Sequence, residues 1–301
     1  INRPLKDRGK RGAQRIGERL AQQQLLPDRV ISSPAERALV TAQKCCKVMG
    51  IGAAHIAQNK RIYQPDPAHL LQVLADCPAS AQRVMLVGHN PGLEHLLELL
   101  VEQPPEVPED TKLMPTATLA RLQTASEWDA LGKGRASLLQ LLRASSLPKQ
   151  FPFPMPDGED RRDRPAYYYT QSSVIPYRVD QGQLQILIIR SSQDKHWVVP
   201  KGIADPGHSL QDSARKEAWE EAGVEGEVHD EALGSYSYAK WGSTCTVTVY
   251  PMAVTRQLPE EVWEERHRGR MWVSTKKAAE LLKQREVHPM IVTLKQRLTA
   301  D

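Results

Sequence analysis

Three glutamates crowd into one turn of a helix, and nothing else in the chain constrains its structure as tightly. The stretch GIADPGHSLQDSARKEAWEEAGV runs from Gly202 to Val224 and follows a compact apolar run, WVVPKG. Glu217, Glu220 and Glu221 are three or four positions apart, so on a helix they share a face. At about 100° per residue their side chains fall within an arc of roughly 100°. Like charges that close repel one another and weaken the helix unless a cation sits among them. Carboxylate oxygens grouped in this way suit Mg²⁺ or Mn²⁺. Ser209 is a good N-cap, Leu210, Ala214 and Ala218 form an apolar stripe, and Gly223 is a good stop. The pattern points to a metal site for phosphate chemistry.

The sequence around this helix alternates as strands do. AYYYTQSSVIPYRVDQGQLQILIIRSS reads as two β-runs around an Asp180-Gln181-Gly182 turn. GSYSYAKWGSTCTVTVYPMAV gives two more, and MWVS a final short strand. TKKAAELLKQ and HPMIVTLKQRL read as helices. Residues 166–301 are therefore expected to form an α+β sandwich. Sheet packing is the ordinary role for Trp197, Tyr236, Tyr238 and Trp241. Upstream, residues 147–165 are punctuated by proline and a mixed charge run, and read as an extended, semi-rigid linker.

Residues 1–146 read differently. DRVISS and RVMLV are short buried strands, each followed by a helical pattern, which argues for a mostly parallel sheet with helices on both faces. Pro34 marks the start of one helix and places Arg37 in its first turn, where the helix dipole favours phosphate. His89 lies at the C-terminal end of a strand, on a turn feeding the next helix, where open α/β sheets bind ligands.

Two family resemblances follow from these motifs. SSPAER with a following TA, VGHNPG before an apolar helix, and the opening RPLKDRG resemble the histidine phosphatase superfamily, in its small phosphohistidine-phosphatase-like branch. The resemblance implies an α/β domain in which Arg37 and His89 line a phosphate pocket. In that family the nucleophile is a histidine in an Arg-His-Gly or Arg-His-Ala motif, on a first strand that precedes the RPL segment. No such motif occurs in this chain, which begins at Ile1, and the first strand is expected to be missing upstream. Two readings stand: a degenerate domain serving as scaffold, or an active phosphatase whose start lies upstream.

The second half resembles the Nudix hydrolases, whose box is G-x5-E-x7-R-E-U-x-E-E-x-G-U with U aliphatic. Gly202, Glu217, Ala218, Glu220, Glu221, Gly223 and Val224 match, while His208 and Lys216 stand where glutamate and arginine are usual. Lysine keeps the charge but loses the planar fork that steers a neighbouring carboxylate. The Pro-Lys-Gly start and Glu-Ala-x-Glu-Glu-Ala-Gly core resemble the diphosphoinositol and diadenosine polyphosphate hydrolase branch. The resemblance implies a mixed-sheet sandwich. It also implies Mg²⁺ or Mn²⁺ held by Glu217, Glu220, Glu221 and Gly202, with the three glutamates as the catalytic residues, and hydrolysis of a phosphoanhydride bond. Lys201 and Lys240 are candidates for neutralising the substrate's phosphates, as are Arg266, Arg268 and Arg270. Glu264 and Glu265 are further candidates for accepting a proton. The remaining alternative is a non-catalytic nucleotide-binding regulator.

Composition narrows the partners. Forty Lys and Arg against 36 Asp and Glu is a weak basic bias, which fits a small anionic substrate and does not by itself argue for specific nucleic-acid binding. No apolar run reaches the length of a membrane span, and no signal-peptide pattern is visible. Cys45, Cys46, Cys77 and Cys245 make no C-x-x-C pair and read as reduced thiols of a cytoplasmic protein.

Overall fold

The computed structural model describes residues 4–106, 112–156 and 158–300. Ile1 to Arg3, which include the first residue of the RPLKDRG motif, lie outside these. The chain divides into two units, one of Ile1–Pro152 with Asp163–Pro165 and one of Phe153–Arg162 with Ala166–Asp301.

In the first unit, helices α1 (Asp7–Gln22), α2 (Glu36–Val48), α3 (Pro67–Ala75) and α4 (Gly92–Leu100) alternate with strands β1 (Arg29–Ser32), β2 (Ile56–Gln58) and β3 (Val84–Val87). The strands form a parallel sheet in the order β2-β1-β3. Neighbouring β1 residues point to opposite faces. Val30 packs with Ile16, Leu20, Ala42 and Cys46 of α1 and α2, while Ile31 packs with Leu70, Val73, Leu96 and Leu100 of α3 and α4. Strands β4 (Thr118–Thr124) and β5 (Ala136–Arg143) pair antiparallel as a separate ribbon. A cleft of about 650 Å³ is lined by Val84 to Leu86 of β3 and by Thr118 to Thr124 of β4. Cys45, Cys46 and Cys77 are buried free thiols, as is Cys245 of the second unit. Burial pushes the Cys46 thiol up to about 11, so it is protonated and inert at neutral pH.

Residues read above as an extended linker fold instead. Strands β6 (Phe151–Met155) and β7 (Gly158–Arg162) form a two-stranded sheet. The Arg162 guanidinium lies 3.3 Å over the Phe153 ring and 4.8 Å from the Tyr169 ring. A two-stranded sheet leaves one edge of each strand free, which is where Pro152 and Pro154 are tolerated.

The second unit is built on one mixed sheet of eight strands. Its members are β8 (Thr170–Asp180), β9 (Gln183–Arg190), β10 (Trp197–Val198), β11 (Lys201–Ile203), β12 (Val224–Val228), β13 (Gly234–Lys240), β14 (Ser243–Gln257) and β15 (Arg270–Ser274). Strands β8 and β14 run parallel at its centre, and the remaining pairs are antiparallel. Helix α5 (Leu210–Ala222) covers one face, packing Ala214, Ala218 and Ala222 on Val174, Leu187 and Ile189. Helices α6 (Thr275–Leu281) and α7 (His288–Ala300) cover the other, where Ile175, Ile186 and Ile188 meet Ala278, Ile291 and Leu294.

Both central strands carry a proline, and the pairing explains why. Strand β8 pairs with β11 through Ser173 and with β9 only from Tyr177 onward. Pro176 falls in that handover, where no antiparallel partner asks for its missing N–H. Pro251 of β14 falls likewise between the last pair with β13, at Val249, and the first with β12, at Met252. Strand β11, paired with β8 ahead of that handover, places Gly202 against Glu217 of α5. No helix among the described residues is long and apolar enough to cross a membrane.

Candidate active site

Helix α5 is fixed at both ends. Ser209 Oγ accepts the Asp212 N–H at 3.0 Å and donates to the Asp212 carboxylate at 2.7 Å. Gly223 stops the helix in the left-handed conformation at φ 61°. Its last carbonyls are not left to solvent. The Trp263 indole N–H donates to Glu220 O at 3.1 Å, and Arg270 donates to Ala222 O at 2.9 Å and Gly223 O at 2.8 Å. Arg270 is thus a cap for α5, not a free phosphate ligand.

This frame brings Glu217, Glu220 and Glu221 together with Lys201 and Gly202. The Lys201 backbone N–H donates to Glu221 Oε2 at 3.0 Å. Gly202 lies directly under Glu217, and a Cβ at position 202 would overlap its carboxylate. Burial and the repulsion of its two neighbours push Glu217 up to about 8. Burial pushes Glu221 up to about 7, against the pull of Arg268 and the Lys201 N–H. Glu220 is raised by burial and eased by Lys216, 3.7 Å away.

Two cations named in the sequence, Arg268 as a phosphate ligand and Lys216 as a departure from the box, are instead paired with carboxylates of this neighbourhood. Arg268 is only 9% exposed and donates to Glu221 Oε1 at 2.6 Å, to the Glu265 carboxylate, and to Arg190 O at 3.4 Å. Lys216 Nζ lies 2.8 Å from Asp205 Oδ2. His208 is exposed on the loop between β11 and α5. The Lys201 ammonium donates to Tyr238 OH at 3.3 Å and Gln171 Oε1 at 3.5 Å, while Tyr238 OH donates to the same Gln171 oxygen at 2.9 Å. Lys240 is not gathered to the trio by any contact. It stands exposed at the tip of the β13–β14 hairpin, 4.3 Å over the Trp241 ring.

In the first unit, Arg37 sits exposed in the first turn of α2, after the C-terminal end of β1. His89 follows the end of β3, and its Nε2 is 2.9 Å from Ser33 Oγ. Its ring also meets Tyr63 edge-on at 5.7 Å. Burial, and then the charge of Arg37, hold its pKa below the usual range, which keeps the imidazole neutral at neutral pH.

The donor set of α5 suits a hard divalent ion: three half-buried carboxylates, oxygen-only, two of them raised by burial and crowding. Glu220 leans toward Lys216 and Glu221 toward Arg268, and among the described residues no three His, Cys, Asp or Glu side chains yet converge as a cage. The stability of the metal-free protein should therefore depend on pH with a definite sign. A carboxyl raised in the folded state favours folding below its unfolded value, and that advantage is lost as pH rises through its folded value. The melting temperature in EDTA should fall between pH 5 and pH 8.5, with Glu221 and then Glu217 losing their protons at about 7 and about 8. Thermal scans of the wild type and Glu217→Gln across this range check it. The variant lacks one of the two titrations and should show the flatter profile.

A family model of the NUDIX domain matches residues 169–293, and one of the histidine phosphatase superfamily (branch 1) matches residues 1–61. Nudix hydrolase 12, mitochondrial, of Arabidopsis thaliana is 31% identical over 146 residues, covering 41% of this chain and 71% of that protein. Nudix hydrolase 21, chloroplastic, of the same plant is 33% identical over 132 residues, covering 41% of this chain and 65% of that protein. The chain thus spans about two thirds of the length of these relatives. The asymmetrical bis(5'-nucleosyl)-tetraphosphatase of Sus scrofa is 28% identical over 109 residues, covering 35% and 74%. Among solved structures, a C. elegans Ap4A hydrolase binary complex aligns with a TM-score of 0.40 at 20% identity, covering 44% of this chain and 99% of that one. A SixA phosphohistidine phosphatase from Nakamurella multipartitia aligns with a TM-score of 0.40 at 26% identity, covering 47% and 85%.

Proposed function

The chain belongs to the Nudix hydrolase family, and on that premise we propose that its second unit hydrolyses a phosphoanhydride bond with Mg²⁺ or Mn²⁺ as cofactor. The substrate class is a nucleoside diphosphate linked to another moiety: a dinucleoside polyphosphate, a nucleotide or an inositol pyrophosphate. The observation that carries this reading is the half-buried glutamate trio on α5, seated against the backbone of Lys201 and Gly202.

Glu217, Glu220 and Glu221 would hold the cation, with Gly202 leaving the room that any side chain would fill. When bound, the ion polarises a phosphoryl oxygen and lowers the pKa of water. The residues do the rest. A carboxylate of the trio left free of the ion accepts the proton of the attacking water. Without the ion, Glu221 at about 7 and Glu217 at about 8 both have proton affinities near neutral pH. Glu265, another candidate for that step, is engaged by Arg268. Lys201 presents its ammonium beside Gln171 and Tyr238 and would meet an outer phosphate.

Support for a second reading lies in the first unit, where Ser33, His89 and Arg37 gather at the C-terminal ends of parallel strands. Such a pocket would hold a phosphate. Phosphatase chemistry there needs a nucleophilic histidine in addition.

A hydrolysis screen tests the main reading. The protein is incubated with Mg²⁺ or Mn²⁺ and with nucleotides, dinucleoside polyphosphates and inositol pyrophosphates, and products are separated by ion-exchange chromatography. Metal-dependent cleavage of a phosphoanhydride bond is the expected result. Nucleotide binding by calorimetry with no turnover under any divalent ion would replace it with the regulator reading.

A further inference from the structure

The box pattern has a glutamate at position 208 and an arginine at position 216, and this chain carries His208 and Lys216 instead. The structure shows another acid closing on the lysine. We propose that Asp205 and Lys216 form a positioning pair that sets Glu220 and the β11–α5 loop for cation binding, in place of a carboxylate at position 208. This rests on the metal-dependent reading above.

Geometry supports it from both sides. Lys216 Nζ sits between two carboxylates, 2.8 Å from Asp205 and 3.7 Å from Glu220. A lysine and a glutamate four apart on a helix interact weakly and hold no single geometry. Asp205 supplies the second anchor, and it is itself fixed: its backbone N–H donates to Ser213 Oγ at 3.1 Å, and its carbonyl accepts from His208 N at 3.1 Å. Ser213 is buried on α5, so the loop is tied to the helix through both the backbone and the side chain of residue 205. One residue earlier, Ala204 N donates to Thr170 O at 2.9 Å, which carries the same restraint back to β8. The segment so held begins at Gly202, the residue beneath Glu217.

Exposure separates this role from plain stabilisation. The Lys216 side chain is 51% exposed, and an ion pair in such a place contributes little to stability. Its effect should appear in how the carboxylates receive a cation. Partners that orient metal ligands typically change affinity by about 10- to 100-fold.

The test uses the full chain and Mn²⁺ alone, by isothermal titration calorimetry, with melting temperatures in EDTA as the control for folding. Asp205→Asn and Lys216→Met should each weaken Mn²⁺ binding by about ten-fold while leaving the EDTA melting temperature nearly unchanged. The double variant should be no weaker than either single one, because the two residues act as a unit. Lys216→Arg, which keeps the charge and reach, should retain the affinity. Equal Mn²⁺ affinity in wild type and Asp205→Asn overturns the pair and leaves the functional reading standing, as do additive losses in the double variant. A wild type that binds no Mn²⁺ overturns both.

Discussion

Glu221→Gln should lose at least about 100-fold in kcat on whatever phosphoanhydride the wild type cleaves, with Mn²⁺ binding weakened in parallel. The substitution keeps the shape of the side chain and removes its charge. The residue lies at the junction of α5 and β11, where it accepts the Lys201 N–H and pairs with Arg268. An amide there offers one carbonyl oxygen instead of two anionic ones, and its NH₂ group adds donors beside groups that already donate. Folding should persist, because Arg268 retains Glu265 as a partner. Steady-state kinetics, calorimetry and a melting curve on the same preparation decide the matter. Full activity in a folded Glu221→Gln protein would remove the trio from the mechanism.

The second large effect concerns stability. Arg268→Met should lower the stability of the metal-free protein by about 3–5 kcal/mol, or roughly 10 °C in melting temperature. Arg268 and Glu221 are 9% and 12% exposed, so solvent screens this pair little. Removing the guanidinium leaves Glu221 buried with its charge unmatched, and pushes its proton affinity above the present value of about 7. The deficit should therefore be small at pH 5, where Glu221 is protonated in either protein, and largest near pH 8, where it must ionise. Mg²⁺ should narrow the gap at pH 8 by supplying the missing positive charge. Melting curves of both proteins at pH 5 and pH 8, with and without Mg²⁺, give all four comparisons. A pH-independent deficit would mean that Arg268 acts through packing alone.

What the sequence disclosed, and what it withheld, divides along the length of the interactions involved. The cap at Ser209, the stop at Gly223 and the turn at Gln181-Gly182 are local devices, and each lies where its residues say. Val174 and Ile175 point to opposite faces of the sheet, and because both are apolar only the fold shows which of them meets α5. The β6–β7 sheet was hidden because proline-rich composition speaks for extension and not for pairing. Arg268 lies 47 positions from Glu221 and reaches it only because Trp263 and Arg270 dock their loop on the end of α5. Its signal was its place among basic residues in RHRGR, where a solvated surface is the ordinary reading. Asp205 was closer at hand. It is an acid in the loop where the box has lost one, and only the fold of that loop shows that it turns toward Lys216.

One hydrogen bond in the site comes from the main chain. Glu221 is anchored by the amide of residue 201, while the side chain of that residue is directed to Gln171 and Tyr238. Any amino acid except proline supplies that amide. Position 201 can therefore vary in size and charge without disturbing this anchor of Glu221. The fixed contact and the variable one thus belong to different atoms of one residue, its amide and its ammonium, so a change to the side chain need not reach Glu221.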